Sequence, residues 1–379
     1  MVTGVICEYN PFHLGHKKQL DVIRKDDPDG TIVCIMSGNF VQRGAPAIID
    51  KTHRAKAAIL SGADLVLELP ITSALSSAED FAAGGVSALN GFCDRLCFGA
   101  ETADVTLLQK TADCLLSEEY RTALRLHLDK GLSFPAARQE ALTEIGINTD
   151  FISKPNNILA VEYCKAILSQ NSSMTPYPIT RHGNYHSTDA DTENPSATFI
   201  RQQMANNAPW ECFIPQEAAE CFKDAKRHYT HNGERAILYK LRTMSDAEFE
   251  ALPYGSEGLW RKLMHAARSC ATLDEIIAET KSKRYTRTRL DRMIMCAYLG
   301  ITKAQLESNA PYIRVLAFNQ KGRKALKSAR EYGNYFNIGQ RIDSWYQDIE
   351  DNSGSLYGLF AEEAPENANI EQKKRIYSY

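Results

Sequence analysis

Val2-Thr3-Gly4-Val5-Ile6-Cys7-Glu8-Tyr9-Asn10-Pro11-Phe12-His13-Leu14-Gly15-His16 is the stretch whose reading decides the fold. Val2, Val5, Ile6 and Cys7 read as a short buried strand, Asn10-Pro11 as a turn, and residues 14–24 as a helix. That order puts His13 and His16 where a strand hands over to a helix N-terminus. Unpaired backbone N–H groups and the helix dipole attract anionic phosphate at such a point. A side chain at Gly15 is expected to keep a flat ligand away from the backbone.

Working outward, apolar runs recur at 31–37, 64–69 and 95–98, and helix-like spacing separates them at 51–60 and 74–89. Ile32, Val33, Cys34, Ile35 and Met36 are continuously apolar, as in a strand covered on both faces of a parallel sheet. The rhythm implies an open, parallel, Rossmann-like α/β sheet with its ligand at the carboxyl ends of the strands, beside the loops at 8–13, 37–44, 68–73 and 99–101. Residues 102–170 are helical in spacing, and 174–180 read as an edge or irregular strand because of Pro176 and Pro178. A further helix begins near Ser196, a natural N-cap. Asn206-Asn207-Ala208-Pro209 marks a boundary, after which 210–326 is mostly helical. The expected organisation is an α/β domain at 1–206, a mainly α-helical domain at 207–347 and a polar tail at 348–379.

With 379 residues, two domains are expected. A formal charge of −3 and a pI near 6.3 exclude a globally basic nucleic-acid binder, so any such contact must be local. Ten cysteines lie scattered through apolar runs without CxxC pairs, which implies thiols in a reducing compartment. Cys93 and Cys97 are the nearest pair, and no metal site is expected. The sequence shows neither a signal-peptide pattern nor an apolar run of membrane-spanning length, so a cytoplasmic location is expected.

His13-Leu14-Gly15-His16 is weakly specific alone. Placed after a strand and before a helix, it resembles the HxGH signature of the nucleotidyltransferase superfamily. Ser196-Ala197-Thr198-Phe199-Ile200-Arg201 resembles that superfamily's late motif at a helix start, which holds the β- and γ-phosphates. Ala197 stands where many relatives carry a second hydroxyl. Glu8-Tyr9-Asn10-Pro11-Phe12-His13, Ser37-Gly38-Asn39-Phe40-Val41-Gln42-Arg43-Gly44, Gly62-Ala63-Asp64-Leu65-Val66-Leu67-Glu68-Leu69-Pro70, Phe98-Gly99-Ala100-Glu101, Lys154-Pro155-Asn156-Asn157-Ile158-Leu159 and Lys283-Arg284-Tyr285-Thr286-Arg287-Thr288-Arg289-Leu290 together resemble the bacterial tRNA(Met) cytidine acetate ligase family. The resemblance extends over most of the chain.

It implies activation of acetate by ATP to acetyl-adenylate with release of pyrophosphate. Transfer of the acetyl group to N4 of the wobble cytidine of elongator tRNA(Met) then follows. It implies an ATP site made of Cys7, Glu8, Tyr9, Asn10, Pro11, Phe12, His13, Leu14, Gly15, His16 and Leu20, with Gly99, Asn156 or Asn157, Arg181 and His182. His13, His16, Ser196, Thr198 and Arg201 would be catalytic. Mg²⁺ would accompany ATP, held mainly by the phosphates. No obligate protein partner is implied.

Two more stretches carry chemistry on their own residues. Gly38, Asn39, Gln42 and Arg43 form a loop, closed by Gly44, that offers backbone freedom and donors to a carboxylate, phosphate or nucleotide. Asp50 and Lys51 follow as lesser candidates. Residues 281–292 hold six basic residues against one acidic. On a helix, Lys281, Lys283, Arg284, Arg287, Arg289 and Arg292 would neutralise RNA phosphates, with Tyr285 free to stack on a base. Two rival readings remain: a small-molecule adenylyltransferase and a non-catalytic RNA-binding protein on the same scaffold. The long region after residue 206 counts against the first, and the intact His13, His16, Thr198 and Arg201 against the second.

Overall fold

A computed structural model describes residues 1–147, 149–181, 196–282, 285–368 and 373–379. The first half follows the expected alternation: β1 (Val2–Cys7), α1 (Leu14–Asp26), β2 (Thr31–Ser37), α2 (Lys51–Leu60), β3 (Leu65–Leu69), α3 (Ala78–Leu89) and β4 (Arg95–Ala100). Three helices between 105 and 144 lead to α4 (Pro155–Ser169), β5 (Thr175–Thr180) and α5 (Ala197–Ala205). The expected helix at 74–89 is interrupted, because Ser77 caps α3 by accepting the Asp80 N–H.

Alternation along β2 explains why the sheet is buried on both faces. Val33 and Ile35 pack into one core with α3 and α4, while Ile32, Cys34 and Met36 pack into another with α1, α2 and α5. Each such side chain contributes roughly 1.5–3 kcal/mol on burial. Cys93 precedes β4 and packs into the first of these cores, whereas Cys97, inside β4, faces the second, so the two cannot share a metal.

β1 pairs in parallel with both β2 and β4, and the chain proceeds to β3 on one side and β5 on the other. The strand order therefore reverses at β1/β4, and the crevice beyond their carboxyl ends is the place for a ligand. β5 lies at the sheet edge, where Pro176 and Pro178 are tolerated.

Beyond residue 206, α6 (Arg287–Leu299) belongs to a helical core that also takes in Phe40, Ile71 and Leu75 from the first half. The helical spacing expected through 326 fails at β6 (Ile313–Phe318), which joins the sheet antiparallel to β3. The run is only six residues long, and its periodicity alone does not separate a strand from a helical turn. After β6 come α7 (Gln320–Ala329), β7 (Tyr335–Asn337), α8 (Trp345–Tyr357) and β8 (Tyr377–Ser378). The segment read as a polar tail thus starts inside α8 and ends in a strand paired with β6. Tyr357 donates its hydroxyl to the Ala47 carbonyl at 2.8 Å, and Lys374 pairs with Asp50 at 3.1 Å. Apolar and charged contacts together pin this segment to the first half.

Candidate active site

A cavity of about 340 Å³ opens at the carboxyl ends of β1 and β4. His13 is the N-cap of α1, and its Nδ1 accepts the Gly15 N–H at 3.1 Å. His16 Nδ1 accepts the His13 N–H at 3.2 Å, and the two rings stack with centroids 3.7 Å apart. With Nδ1 used as an acceptor on both rings, a neutral imidazole carries its proton on Nε2. Burial, then the Arg181 and Arg201 guanidinium groups, lowers the His13 pKa to about 3. Burial, then His13 and Arg181, holds His16 well below its usual value. Both rings are therefore neutral Nε2–H donors near pH 7. His13 Nε2 is shielded from solvent and has no hydrogen-bond partner among the described residues. An orphaned buried donor is costly unless a ligand completes it.

Packing gives Gly15 a reason of its own to be small: a Cβ there would sit 2.9 Å from His13 Cε1. Arg201 reaches from α5 to donate to the Asn10 carbonyl at 2.7 Å and to Thr198 Oγ1 at 3.1 Å. Two motifs far apart in sequence thus meet in one wall. Ser196 caps α5 by accepting the Phe199 N–H at 3.0 Å, which leaves Thr198 and Arg201 at the cavity. Arg181, also on the cavity, donates to Asn156 Oδ1 at 3.3 Å, and Asn156 donates to Glu101 at 2.7 Å. Asn157 is fully buried, accepting the Thr102 N–H and donating to the Phe151 carbonyl. Of the two asparagines, Asn156 is the one on the cavity.

Of the other residues expected at the ATP site, Cys7, Glu8, Tyr9, Asn10 and Gly99 also line the cavity. Phe12 and Leu20 are instead fully buried in the core beneath it, and Pro11 and Leu14 complete the turn without lining it. Burial, then Cys34, pushes the Cys7 thiol well above its ordinary value, which disfavours the thiolate. His182 lies outside the described residues.

The loop after β2 is held from below. Glu8 accepts the Gln42 N–H at 2.8 Å, and Asn39 accepts the Lys51 N–H at 2.9 Å. Gln42 and Arg43 line the cavity, whereas Gly38 and Asn39 support the loop. Gly38 does not take a positive φ; a Cβ there would meet Glu68 Oε1 at 2.1 Å. Gly44 does, at +76°, and packs against the Asp291–Arg292 backbone of α6.

The sequence reading passed over Arg54. Fully buried in α2, it donates to the carbonyls of Ile49 at 2.7 Å, Glu8 at 2.6 Å and Ser37 at 3.1 Å, and also to that of Gly38. It ties together the carboxyl ends of β1 and β2. Its only sequence signal is a charge among alanines on a helix. The apolar wall was also missed: Phe81 from α3, Phe98 from β4, and Ile158, Leu159 and Tyr163 from α4. Their helical spacing looks the same as core.

The basic stretch differs from expectation. α6 begins at Arg287, with Thr286 as its N-cap, so Lys281 and Tyr285 precede the helix. Tyr285 is buried in the helical core and donates to the Glu257 carbonyl, so its ring is not offered to a base. Arg287 pairs with Asp274 and Asp291, and Arg289 donates to the Tyr254 carbonyl and Ser256. Arg292 approaches the Gln42 carbonyl at 3.5 Å, which places the start of α6 beside the cavity loop. Lys281 is exposed, and Lys283 and Arg284 lie outside the described residues.

The HIGH nucleotidyl transferase family model matches residues 1–371. The tRNA(Met) cytidine acetate ligase of Clostridium acetobutylicum is 37% identical over 361 residues, covering 87% of this chain and 88% of its own. The chain belongs to the tRNA(Met) cytidine acetate ligase family. The Clostridium tetani member is 37% identical over 94% of this chain and 95% of its own. Thermotoga maritima TmcAL superposes with a TM-score of 0.91 at 29% identity, over 100% of this chain and 99% of that one. Its form bound with alpha-thio ATP gives 0.89, over 100% of both chains. Membership makes this chain a ligase on a nucleotidyltransferase scaffold. Among the described residues, no helix is long and apolar enough to cross a membrane.

Proposed function

We propose that this protein binds ATP in the cavity, joins it to acetate, and passes the acetyl group to N4 of the wobble cytidine of elongator tRNA(Met). In the first step an acetate oxygen attacks the α-phosphorus, the bond to the bridging oxygen breaks, and pyrophosphate leaves. In the second, the cytidine amine attacks the acetyl carbonyl, loses a proton and expels AMP. The reading fits a bacterial cytoplasm. The single observation that carries it is the convergence of two neutral imidazole donors with Arg181 and Arg201 on one opening at the strand-order switch.

His13 and His16 would donate Nε2–H to phosphoryl oxygens as charge develops in the transition state. Thr198 and Arg201 would orient the departing pyrophosphate, with Ser196 fixing the helix start that presents them. Arg181 and Asn156 stand where they would hold the ribose or a phosphate, and the apolar wall suits the adenine. Gln42 and Arg43 would face acetate or the incoming cytidine. The cavity carboxylate Glu8 is already engaged with Gln42, and no cluster of three metal-ligating side chains occurs among the described residues. Mg²⁺ would therefore be held by triphosphate oxygens and water, supplying charge neutralisation. Residues 1–206 would supply the nucleotide site and 207–347 most of the RNA surface, with Arg292 beside the cavity loop.

Incubation with ATP, labelled acetate and total bacterial tRNA tests the proposal. Label in a cytidine of tRNA(Met) is expected. A dinucleotide formed with some other substrate, or no ATP turnover, would contradict it.

A further inference from the structure

Helix α7 is the most one-sidedly charged element of the described chain. Residues 320–330 contain Lys321, Arg323, Lys324, Lys327 and Arg330 and no acidic residue, in a protein of net charge −3. All five residues are exposed, and among the described residues Lys321 alone of them is shown bonding elsewhere in the protein, to the Pro28 carbonyl. The other face of the helix explains their direction. Gly322, Leu326 and Ala329, at i, i+4 and i+7, are buried against the sheet. Gly322 sits so close that a Cβ would lie 1.8 Å from the Asp64 carbonyl oxygen. The helix backbone is therefore seated on the sheet, and its cations face outward from a fixed platform.

Beside α7 runs a groove of about 760 Å³. Arg323, Lys324, Lys327 and Arg330 form one wall, and Asn337 and Ser378, from β7 and β8, form the other. The contrast with residues 281–292 decides which cations are available. Arg287 and Arg289 are engaged by acidic or backbone groups of the protein; on α7 Lys321 donates to the Pro28 carbonyl at 3.2 Å, and the four cations that line the groove are exposed.

Position argues for a large anion. Phe318, which lies in the groove, pairs with Leu65 at the amino end of β3, whereas the cavity opens at the carboxyl ends. The two lie about a strand length apart, roughly 20 Å. A mononucleotide cannot span that distance, but a folded RNA can. We propose that the groove along α7 binds the phosphodiester backbone of the RNA substrate. This contact rests on the tRNA reading given above. It would position the RNA without reading its sequence, because cations on phosphates orient a nucleic acid and base contacts specify it.

The test is an Arg323→Gln/Lys327→Gln/Arg330→Gln variant of the full chain, with an Arg121→Gln/Arg125→Gln/Lys130→Gln variant as charge-matched control on another exposed helix. Thermal unfolding checks that both are folded. Bacterial tRNA binding is measured from 50 to 200 mM salt, and acetate-dependent ATP turnover without RNA is measured alongside. The groove variant is expected to bind tRNA about tenfold or more weakly near 0.1 M salt. The slope of log K against log salt should shrink by about two or more. Its ATP turnover and the control's RNA affinity should stay at wild-type values. Equal losses in the control, or a wild-type slope in the groove variant, would overturn the assignment. So would binding of wild-type protein to anionic phospholipid vesicles while the groove variant keeps full RNA affinity. If wild-type protein neither binds nor acetylates tRNA, the reaction reading falls as well. If it does both and the groove variant matches it, only the groove falls.

Discussion

The two walls of the cavity are built in different ways. The polar wall comes from strand ends and helix starts: His13 and His16 at α1, Thr198 and Arg201 at α5, and Arg181 after β5. The apolar wall comes from the bodies of two helices and a strand: Phe81, Ile158, Leu159, Tyr163 and Phe98. Groups that meet charge must be held by backbone contacts of fixed geometry, such as the Gly15 N–H to His13 and Arg201 to the Asn10 carbonyl. Groups that meet an apolar ring need only shape. The polar wall is therefore expected to govern rate, and the apolar wall affinity.

Substitution at the polar wall should give the largest effect. His13→Ala is expected to lower the rate of RNA acetylation by about 10²- to 10³-fold, the usual cost of one transition-state donor. The KM for ATP should change far less. An equal loss in KM and no loss in turnover would erase the distinction between the walls.

Acid should reveal the same wall in the free protein. The His13 pKa, about 3 when folded, lies below its unfolded value, so protonation favours unfolding. Stability is full above about pH 6.5 and is lost as pH falls toward 3, with a slope approaching ~1.4 kcal/mol per pH unit for each such histidine. Urea midpoints measured from pH 7 to 5 should show this decline, and His13→Asn should flatten it. A decline of the same steepness in that variant would place the titrating group elsewhere.

On the apolar wall, Leu159→Ala should raise the KM for ATP by about 5- to 30-fold, as expected for roughly 1–2 kcal/mol of lost burial, with turnover within about threefold of wild type. The smallest effect is expected at the seam. A Cβ on Gly99 would lie 3.6 Å from Arg181 Cδ, an ordinary contact, so Gly99→Ala should leave stability within about 0.5 kcal/mol. The added methyl group would still occupy cavity space and raise the KM for ATP by about fivefold. Unchanged ATP kinetics in Gly99→Ala would move the nucleotide away from β4.

The same contrast explains what could be read from the sequence. Continuous apolar runs and caps placed β1 to β5 and their helices, because local periodicity decides those elements. His13, His16 and Arg201 stood out because a helix start restricts which residues fit. Arg54 and the apolar wall did not, since their partners are carbonyls and rings brought together only by folding. β6 was missed because its pairing with β3 spans some 250 residues of chain. Tyr285 shows the reverse error: a ring among cations suggested stacking, but its neighbours in space are the helical core.

The most direct test of the central claim is ATP–pyrophosphate exchange in the absence of RNA. Wild-type protein is expected to exchange only when acetate is present. His13→Ala should lose at least about 100-fold of that rate, and the α7 groove variant none. Exchange that needs RNA, proceeds without acetate, or survives intact in His13→Ala would contradict adenylyl transfer to acetate at this cavity.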